Sequence, residues 1–235
     1  MSLADDRQIF EEQIAYYRAR AVEYEEWYHR QGRYDHGPQW NRVFAGELAV
    51  VEQEVRSFRP TGRVLELACG TGWWTGVLAE YADSLTAVDA SEETLQINRL
   101  KNGTAKIEYV QTELFSWRPE RQYDAVFFGF WLSHVPPGRF AEFWEIVKAA
   151  LCPGGRVFFA DSLRKDIQTL AAKDHHRETE GDTTTRFLND GSAYRIIKVF
   201  YQPEELAKRL KELGWEFSVK STEHYFLFGS GGYSR

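Results

Sequence analysis

The residues best equipped for chemistry in this 235-residue chain are a few acids and glycines near its middle. Val64-Leu65-Glu66-Leu67-Ala68-Cys69-Gly70-Thr71-Gly72 reads as a short strand running into a glycine turn that opens a helix. Gly70 and Gly72 let the backbone approach a ligand closely, and the N-terminus of the helix favours negative charge. A dinucleotide site wants G-x-G-x-x-G. Here Thr75 stands three places after Gly72 and Gly76 comes one step late, so the pyrophosphate fingerprint is imperfect. Glu66 also suits a diphosphate poorly, because a carboxylate near the turn repels it. A ligand carrying an ammonium group would gain from the same acid. Asp89 closes the next apolar run, SLTAVD, where a carboxylate can accept two adjacent hydroxyl donors. Glu113 and Leu114 follow a third run. His134, in Phe130-Trp131-Leu132-Ser133-His134, has the unperturbed pKa of a base near neutrality, and His36 is a second candidate.

Elements must bring these residues together. RVLELA, SLTAVDA, KIEYVQTELF, YDAVFFGF and GRVFFAD are short β-rich runs alternating with helical patterns, which means a parallel, doubly wound sheet with helices on both faces. Ser91 is placed to cap the helix that ends at Gly103, and Pro137 stands near the start of PGRFAEFWEIVKAAL. Upstream, Phe10, Ile14, Tyr17, Ala21, Tyr24 and Tyr28 recur at helical spacing. A second helical pattern runs from Trp40 to Val55, beyond the Gly- and Pro-punctuated QGRYDHGP. Downstream, two β-like runs flank Asn189-Asp190-Gly191, a hairpin signal. QPEELAKRLKELG is a helix closed by Gly214, and WEFSVKSTEHYFLFG supplies closing strands. One domain, 1–235, is expected: a helical cap over 1–58, a ligand-binding core over 63–161, and a β-rich closing part over 162–235.

Four of these elements, in order, resemble the motifs of class I, Rossmann-like methyltransferases dependent on S-adenosylmethionine (SAM), of the small-molecule type. Glu66-Leu67-Ala68-Cys69-Gly70-Thr71-Gly72 is similar to their glycine motif, with Ala68 where the family more often has glycine. Asp89 falls where an acid binds the ribose hydroxyls. Glu113 falls where an acid often receives the adenine amino group. YDAVFFGFWLSHV resembles the strand-four motif and LCPGGRVFF the turn into strand five. The resemblance covers roughly 63–161.

It implies a mostly parallel seven-stranded sheet with an antiparallel β element near the C-terminus, and SAM as cofactor. Its binding residues would be Tyr16, Arg20, Glu66, Ala68, Gly70, Gly72, Trp74, Asp89, Ala90, Glu113, Leu114 and Phe130. In related enzymes an N-terminal helix folds over the cofactor, and a Tyr or Arg on it meets the methionine carboxylate. Tyr17, Tyr28, Trp131 and His134 would line the acceptor pocket, although helical spacing also makes Tyr17 and Tyr24 candidates for buried helix face. Either Trp73 or Trp74 is core, and the other would wall the cofactor. Methyl displacement from a sulfonium needs an in-line nucleophile and exclusion of water. A base such as His134 is needed only for a neutral alcohol, phenol or acidic C–H, and the histidine could equally only shape the pocket.

Composition narrows the classes. Net charge is −6 with no long basic run, against nucleic acid as partner. Cys69 and Cys152 stand far apart in no metal-like spacing, and adjacent His175 and His176 point apart on a helix, so no metal is expected. No apolar stretch reaches the ~20 residues needed to span a bilayer. The expectation is a cytoplasmic monomer or homodimer whose partner is a small aromatic or apolar methyl acceptor. Two rivals stand beside it: a SAM-binding sensor or partner subunit without transfer activity, and a nicotinamide oxidoreductase. Glu66 and the missing third glycine oppose the latter.

Overall fold

A computed structural model describes residues 3–163 and 177–234. The strands at its centre are those whose side chains are apolar on both faces. β1 (Arg63–Leu67) carries Val64, Leu65 and Leu67 with no exposure at all, as a strand covered by helices on both sides requires. It lies parallel to β2 (Ser84–Asp89) on one side and β4 (Tyr123–Gly129) on the other. β3 (Ile107–Gln111) and β5 (Leu151–Ser162) extend the sheet outward. β9 (Trp215–Ser221) and β10 (Phe226–Tyr233) close it antiparallel, in the order β3-β2-β1-β4-β5-β10-β9. The order reverses between β1 and β4, and the crevice at that switch point is where such sheets bind ligands.

Each face has its own apolar layer. α3 (Pro38–Phe58), α4 (Trp73–Ala79) and α5 (Glu92–Asn102) cover one, with Phe44, Leu48, Val51, Val55, Leu78 and Leu95 pointing in. α6 (Phe140–Ala150) and α7 (Pro203–Glu212) cover the other, through Phe143, Trp144, Val147, Leu206 and Leu210. Ser91 caps α5 as its sequence position suggests, its Oγ accepting the Thr94 N–H at 3.1 Å. Pro137 opens a 3-10 turn (Pro137–Arg139) that leads into α6.

Two regions differ from the sequence reading or add to it. The aromatic stretch from Phe10 to Tyr28 is not one helix. α1 (Leu3–Ala19) gives way to a 3-10 turn (Ala21–Glu23) and a single turn, α2 (Glu26–His29). The cause is that its rings serve two surfaces: Tyr16 packs on Tyr194, whereas Tyr28 stacks on Trp73 at 4.2 Å. The expected hairpin forms from β7 (Thr183–Phe187) and β8 (Ala193–Ile197), with Gly191 at φ 86°. With β6 (Arg177–Glu180) it builds a separate small sheet, onto which α1 docks: Glu12 accepts from the Arg195 N–H at 2.6 Å, and Gln13 from the Ile197 N–H at 3.0 Å. Among the described residues no helix is long and apolar enough to cross a membrane. His175 and His176 lie outside the described residues.

Candidate functional site

The carboxyl ends of the parallel strands lay out the site in strand order. Glu113 and Leu114 follow β3, Asp89 ends β2, Ala68 to Gly70 follow β1, Phe130 to His134 follow β4, and Asp161 lies near the end of β5. A cavity of about 670 Å³, open mouth included, runs above them. Its roof is α1, through Phe10, Gln13, Ile14 and Tyr17, with Tyr24 beside them.

The β1–β3 side is shaped by backbone. Gly70 has φ 52° and Gly72 φ 85°, and a Cβ at Gly72 would strike the Asn98 amide, so only glycine fits there. A Cβ at Gly70 would find its nearest neighbour, Tyr24, at 3.9 Å: the backbone there faces open cavity. Ala68 also has φ 52°, which gives a physical reason for the glycine more usual at that place. Asp89 is the anchor. One carboxylate oxygen accepts the Gly70 N–H at 2.9 Å; the other accepts the Ser91 N–H at 2.9 Å and the Thr94 hydroxyl at 3.2 Å. Burial raises its pKa against those hydrogen bonds. Glu113 accepts the Phe115 and Ser116 N–H groups at 2.7 and 3.0 Å, which fixes the turn it stands on.

Glu66 sits one layer deeper. It is 1% exposed and accepts the Thr75 hydroxyl at 2.6 Å, which in turn accepts from the Asn98 amide at 2.8 Å. Burial pushes its pKa up to about 8, with the Asp89 charge adding to the rise. It supports the glycine turn from below, outside the cavity wall.

The β4–β5 side is built from side chains. Tyr17 and His134 are joined at 2.8 Å between the phenol oxygen and Nε2, and Nδ1 lies 2.7 Å from the Ile197 carbonyl. A carbonyl only accepts, so Nδ1 carries the hydrogen, Nε2 is the acceptor and Tyr17 donates to it. Burial, followed by the nearby Lys198 charge, holds the imidazole well below its ordinary pKa. Burial likewise lifts the Tyr17 phenol well above its own. Behind them Lys198, 7% exposed, donates to Ser133 Oγ at 2.7 Å and Ser162 Oγ at 3.3 Å, and lies 3.6 Å from Asp161. Burial brings its pKa down to about 8, with Arg186 and Arg20 pushing the same way and Asp161 opposing. Asp161 also accepts the Ser133 N–H at 2.8 Å.

Of the residues singled out in the sequence, Ala68, Gly70, Asp89, Ala90, Glu113, Leu114, Phe130, Tyr17, Trp131 and His134 share this cavity. Others stand elsewhere. Tyr16 is the buried ring of α1, at 2% exposure against the small sheet, while Tyr17 and Tyr24 face the cavity. Arg20 stands behind Tyr24, its guanidinium 4.7 Å from that ring, and its Nε is buried without a hydrogen-bond partner. Trp74 is core beneath Gly129 and Phe130. Tyr28 lies under Trp73, Gly72 behind the turn, and His36 at the Arg30 guanidinium, 3.1 Å away. Lys198 and Gln13 were not singled out. A lysine just past a strand and a glutamine on an ordinary helix carry no local signal. Only tertiary packing reveals them: Gln13 through the docking of α1 on β8, Lys198 through its reach to Ser133.

Comparison with known proteins gives a consistent set. The profile of a methyltransferase domain family matches residues 14–218. A ubiquinone biosynthesis O-methyltransferase of Bordetella avium (strain 197N) is 29% identical over 171 residues, covering 70% of this chain. That match spans 66% of the relative's own length, just under two thirds. DhpI in complex with SAH is 38% identical over 96% of this chain and 97% of that one, with a TM-score of 0.76. A DhpI complex with SAM and HEP is 39% identical over 95% and 97%, with a TM-score of 0.77. At 16% identity, a SAM-dependent methyltransferase from Clostridium acetobutylicum ATCC 824 shares the fold, with a TM-score of 0.64.

Proposed function

The chain belongs to the methyltransferase domain family, and on that premise we propose that it transfers the methyl group of SAM to an anionic oxygen of a small acceptor. The observation that carries this reading is the division of one cavity along the strand order. Backbone and carboxylate groups lie over β1–β3, and the buried Lys198–Asp161 pair stands behind the wall formed at Trp131 and His134 beyond β4.

The first side fits the cofactor. Asp89 lines the cavity, and its oxygen that accepts the Gly70 N–H keeps a lone pair for a ribose hydroxyl. Leu114 and Glu113 flank the place for the adenine, and the backbone at Gly70 leaves room for close approach. When bound, SAM supplies an electrophilic methyl on a sulfonium.

The second side decides the acceptor. His134 is a poor base for it: Nε2 is engaged by Tyr17, and a proton gained there would add charge beside Lys198, Arg186 and Arg20. An oxygen that arrives ionised needs no base. Lys198, behind the wall at Ser133 and His134, favours that charge through its field, and α1 roofs the cavity. The naming of the Bordetella relative as an O-methyltransferase supports oxygen, and the DhpI complex with SAM and HEP supports a second small molecule beside the cofactor. Within the small aromatic or apolar acceptor expected from the sequence, this reading specifies an ionised oxygen.

The test is transfer of labelled methyl from SAM to a panel of small carboxylates, phosphate monoesters, neutral alcohols and amines. Label on the ionised oxygen compounds is expected. Label confined to neutral amines or alcohols refutes the anionic acceptor, and calorimetry showing NAD bound but not SAM refutes the whole reading.

A further inference from the structure

Gly76 falls one place late for a pyrophosphate fingerprint, and the fold gives it a different task. It lies inside α4, where glycine is a poor helix former, and a Cβ there would come within 2.8 Å of Asn102 Oδ1. Asn102 ends α5, the helix that faces α4, and Asn98 stands one turn before it on the same side. Asn98 is wholly buried inside the helix, although asparagine favours caps and turns. Such local misfits gather where function asks for them. Both side-chain amides point to the glycine turn. Asn102 Nδ2 donates to the Gly72 carbonyl at 2.9 Å and to Asn98 Oδ1 at 2.9 Å. Asn98 Nδ2 donates to the Thr75 hydroxyl at 2.8 Å and reaches the Gly70 carbonyl at 3.4 Å. A carbonyl only accepts, so each amide keeps its NH2 end toward the turn. The N–H groups of the same two glycines are held as well, Gly70 on Asp89 and Gly72 on the Cys69 carbonyl at 3.1 Å. Each glycine is thereby pinned at both its donor and its acceptor.

Resting on the reading of the cavity as a SAM site, we propose that Asn98 and Asn102 are positioning residues for the cofactor, which they serve by fixing the peptide planes of the Gly70–Gly72 turn. Gly76 is glycine so that the Asn102 amide has room. Gly70 lines the cavity and the asparagines stand behind it, so they act through the turn. The φ angles of 52° and 85° at Gly70 and Gly72 are open to glycine, but a glycine left to itself samples many others. Holding the turn in one shape before the ligand arrives removes an ordering cost that binding would otherwise bear.

Calorimetric titration of the full chain with SAM tests this, with thermal unfolding of the ligand-free protein beside it. Asn102→Ala should weaken SAM about three- to tenfold, the worth of one hydrogen bond to a carbonyl then left unpaired. Asn102→Asp fills the same volume without the donor and should lose at least as much, whereas a side chain that only packs predicts the reverse. Gly76→Ala should weaken SAM about threefold by displacing the amide. In the Asn102→Ala background the same change should cost no further affinity and should raise the melting temperature, as alanine does in a helix. The losses should appear in KM for SAM, with kcat at saturating cofactor within about twofold, because amides behind the turn serve ground and transition states alike. SAM affinity unchanged in folded Asn102→Ala and Asn102→Asp proteins overturns the inference, as do additive losses for Gly76→Ala and Asn102→Ala. Either result leaves the methyltransferase reading intact. Failure of the unaltered chain to bind SAM overturns that reading instead.

Discussion

On the β1–β3 side of the cavity, polar groups are fixed by near neighbours. Asp89 holds the Ser91 N–H two residues on, the Thr94 hydroxyl five residues on and the Gly70 N–H 19 residues back. On the β4–β5 side the partners come from afar. Lys198 reaches Ser133 across 65 residues, Tyr17 reaches His134 across 117 and Gln13 reaches Ile197 across 184. The first side binds through backbone shape, which a strand–turn–helix unit can build alone. The second, on the proposed reading, relies on charge held in place behind its wall by three separate segments, and it exists only when all three are packed. A cofactor site can thus be carried as a local motif, whereas the acceptor site next to it can be rebuilt by changing distant elements.

This contrast can be broken most directly at Lys198. Replacing Lys198 by Met leaves Asp161 with only its backbone donors and should destabilise the fold by about 3 kcal/mol, the scale for removing one partner of a buried pair. Turnover should fall by about a hundredfold, the scale for losing one fixed electrostatic group that favours the reacting oxygen's charge. SAM affinity should stay within about twofold, because no bond to the cofactor side is touched. Chemical denaturation, steady-state kinetics and calorimetry separate the three. A matching loss of SAM affinity would mean that the two sides are not independent.

The reciprocal change is Asp89→Ala, which should weaken SAM by about 1–3 kcal/mol through unmade hydrogen bonds. Because Asp89 also holds Gly70 and Ser91, part of this loss will appear as disorder of the turn, and Asp89→Asn should lose less. Isothermal calorimetry measures both. SAM affinity that is unchanged in a folded Asp89→Ala protein would remove the ribose role.

A subtler probe is pH. Glu66 has a folded pKa raised to about 8 by burial, above its unfolded value, so the folded state holds that proton more tightly. Its contribution is complete below the unfolded pKa and is lost as pH rises through about 8. The melting temperature without ligand should therefore fall between pH 6 and pH 9 on this account, and Glu66→Gln should flatten that part of the profile. An equal slope in the variant would assign the dependence to another group.

The smallest effect is expected at Ala68. Relief of its left-handed backbone by Ala68→Gly is worth about 1 kcal/mol, offset in part by the greater freedom of glycine when unfolded, leaving a gain of about 0.5 kcal/mol. Denaturant titration measures it. A clear loss of stability would show that the methyl group of Ala68 packs usefully enough to outweigh the strain.

What the sequence determined by itself was the periodic and the local. Alternating short apolar runs and helical patterns dictated the parallel sheet, because strands covered on both faces must be apolar throughout. Gly70, Gly72 and Asp89 were legible because a turn of positive φ and an acid at a strand end leave their mark within a few residues. Glu66 was legible as unusual, yet the packing of Thr75 and Asn98 against it was not. The tertiary structure alone decided the rest. Tyr16 and Tyr17 are neighbours on one helix, and only the docking of α1 on β8 turns the first into core and the second toward the cavity. His134 has the residue type of a base, and only burial beside Lys198, with Tyr17 on its one free nitrogen, makes it a neutral acceptor. Charge and protonation depend on what surrounds a group in space, which spacing along a chain does not record.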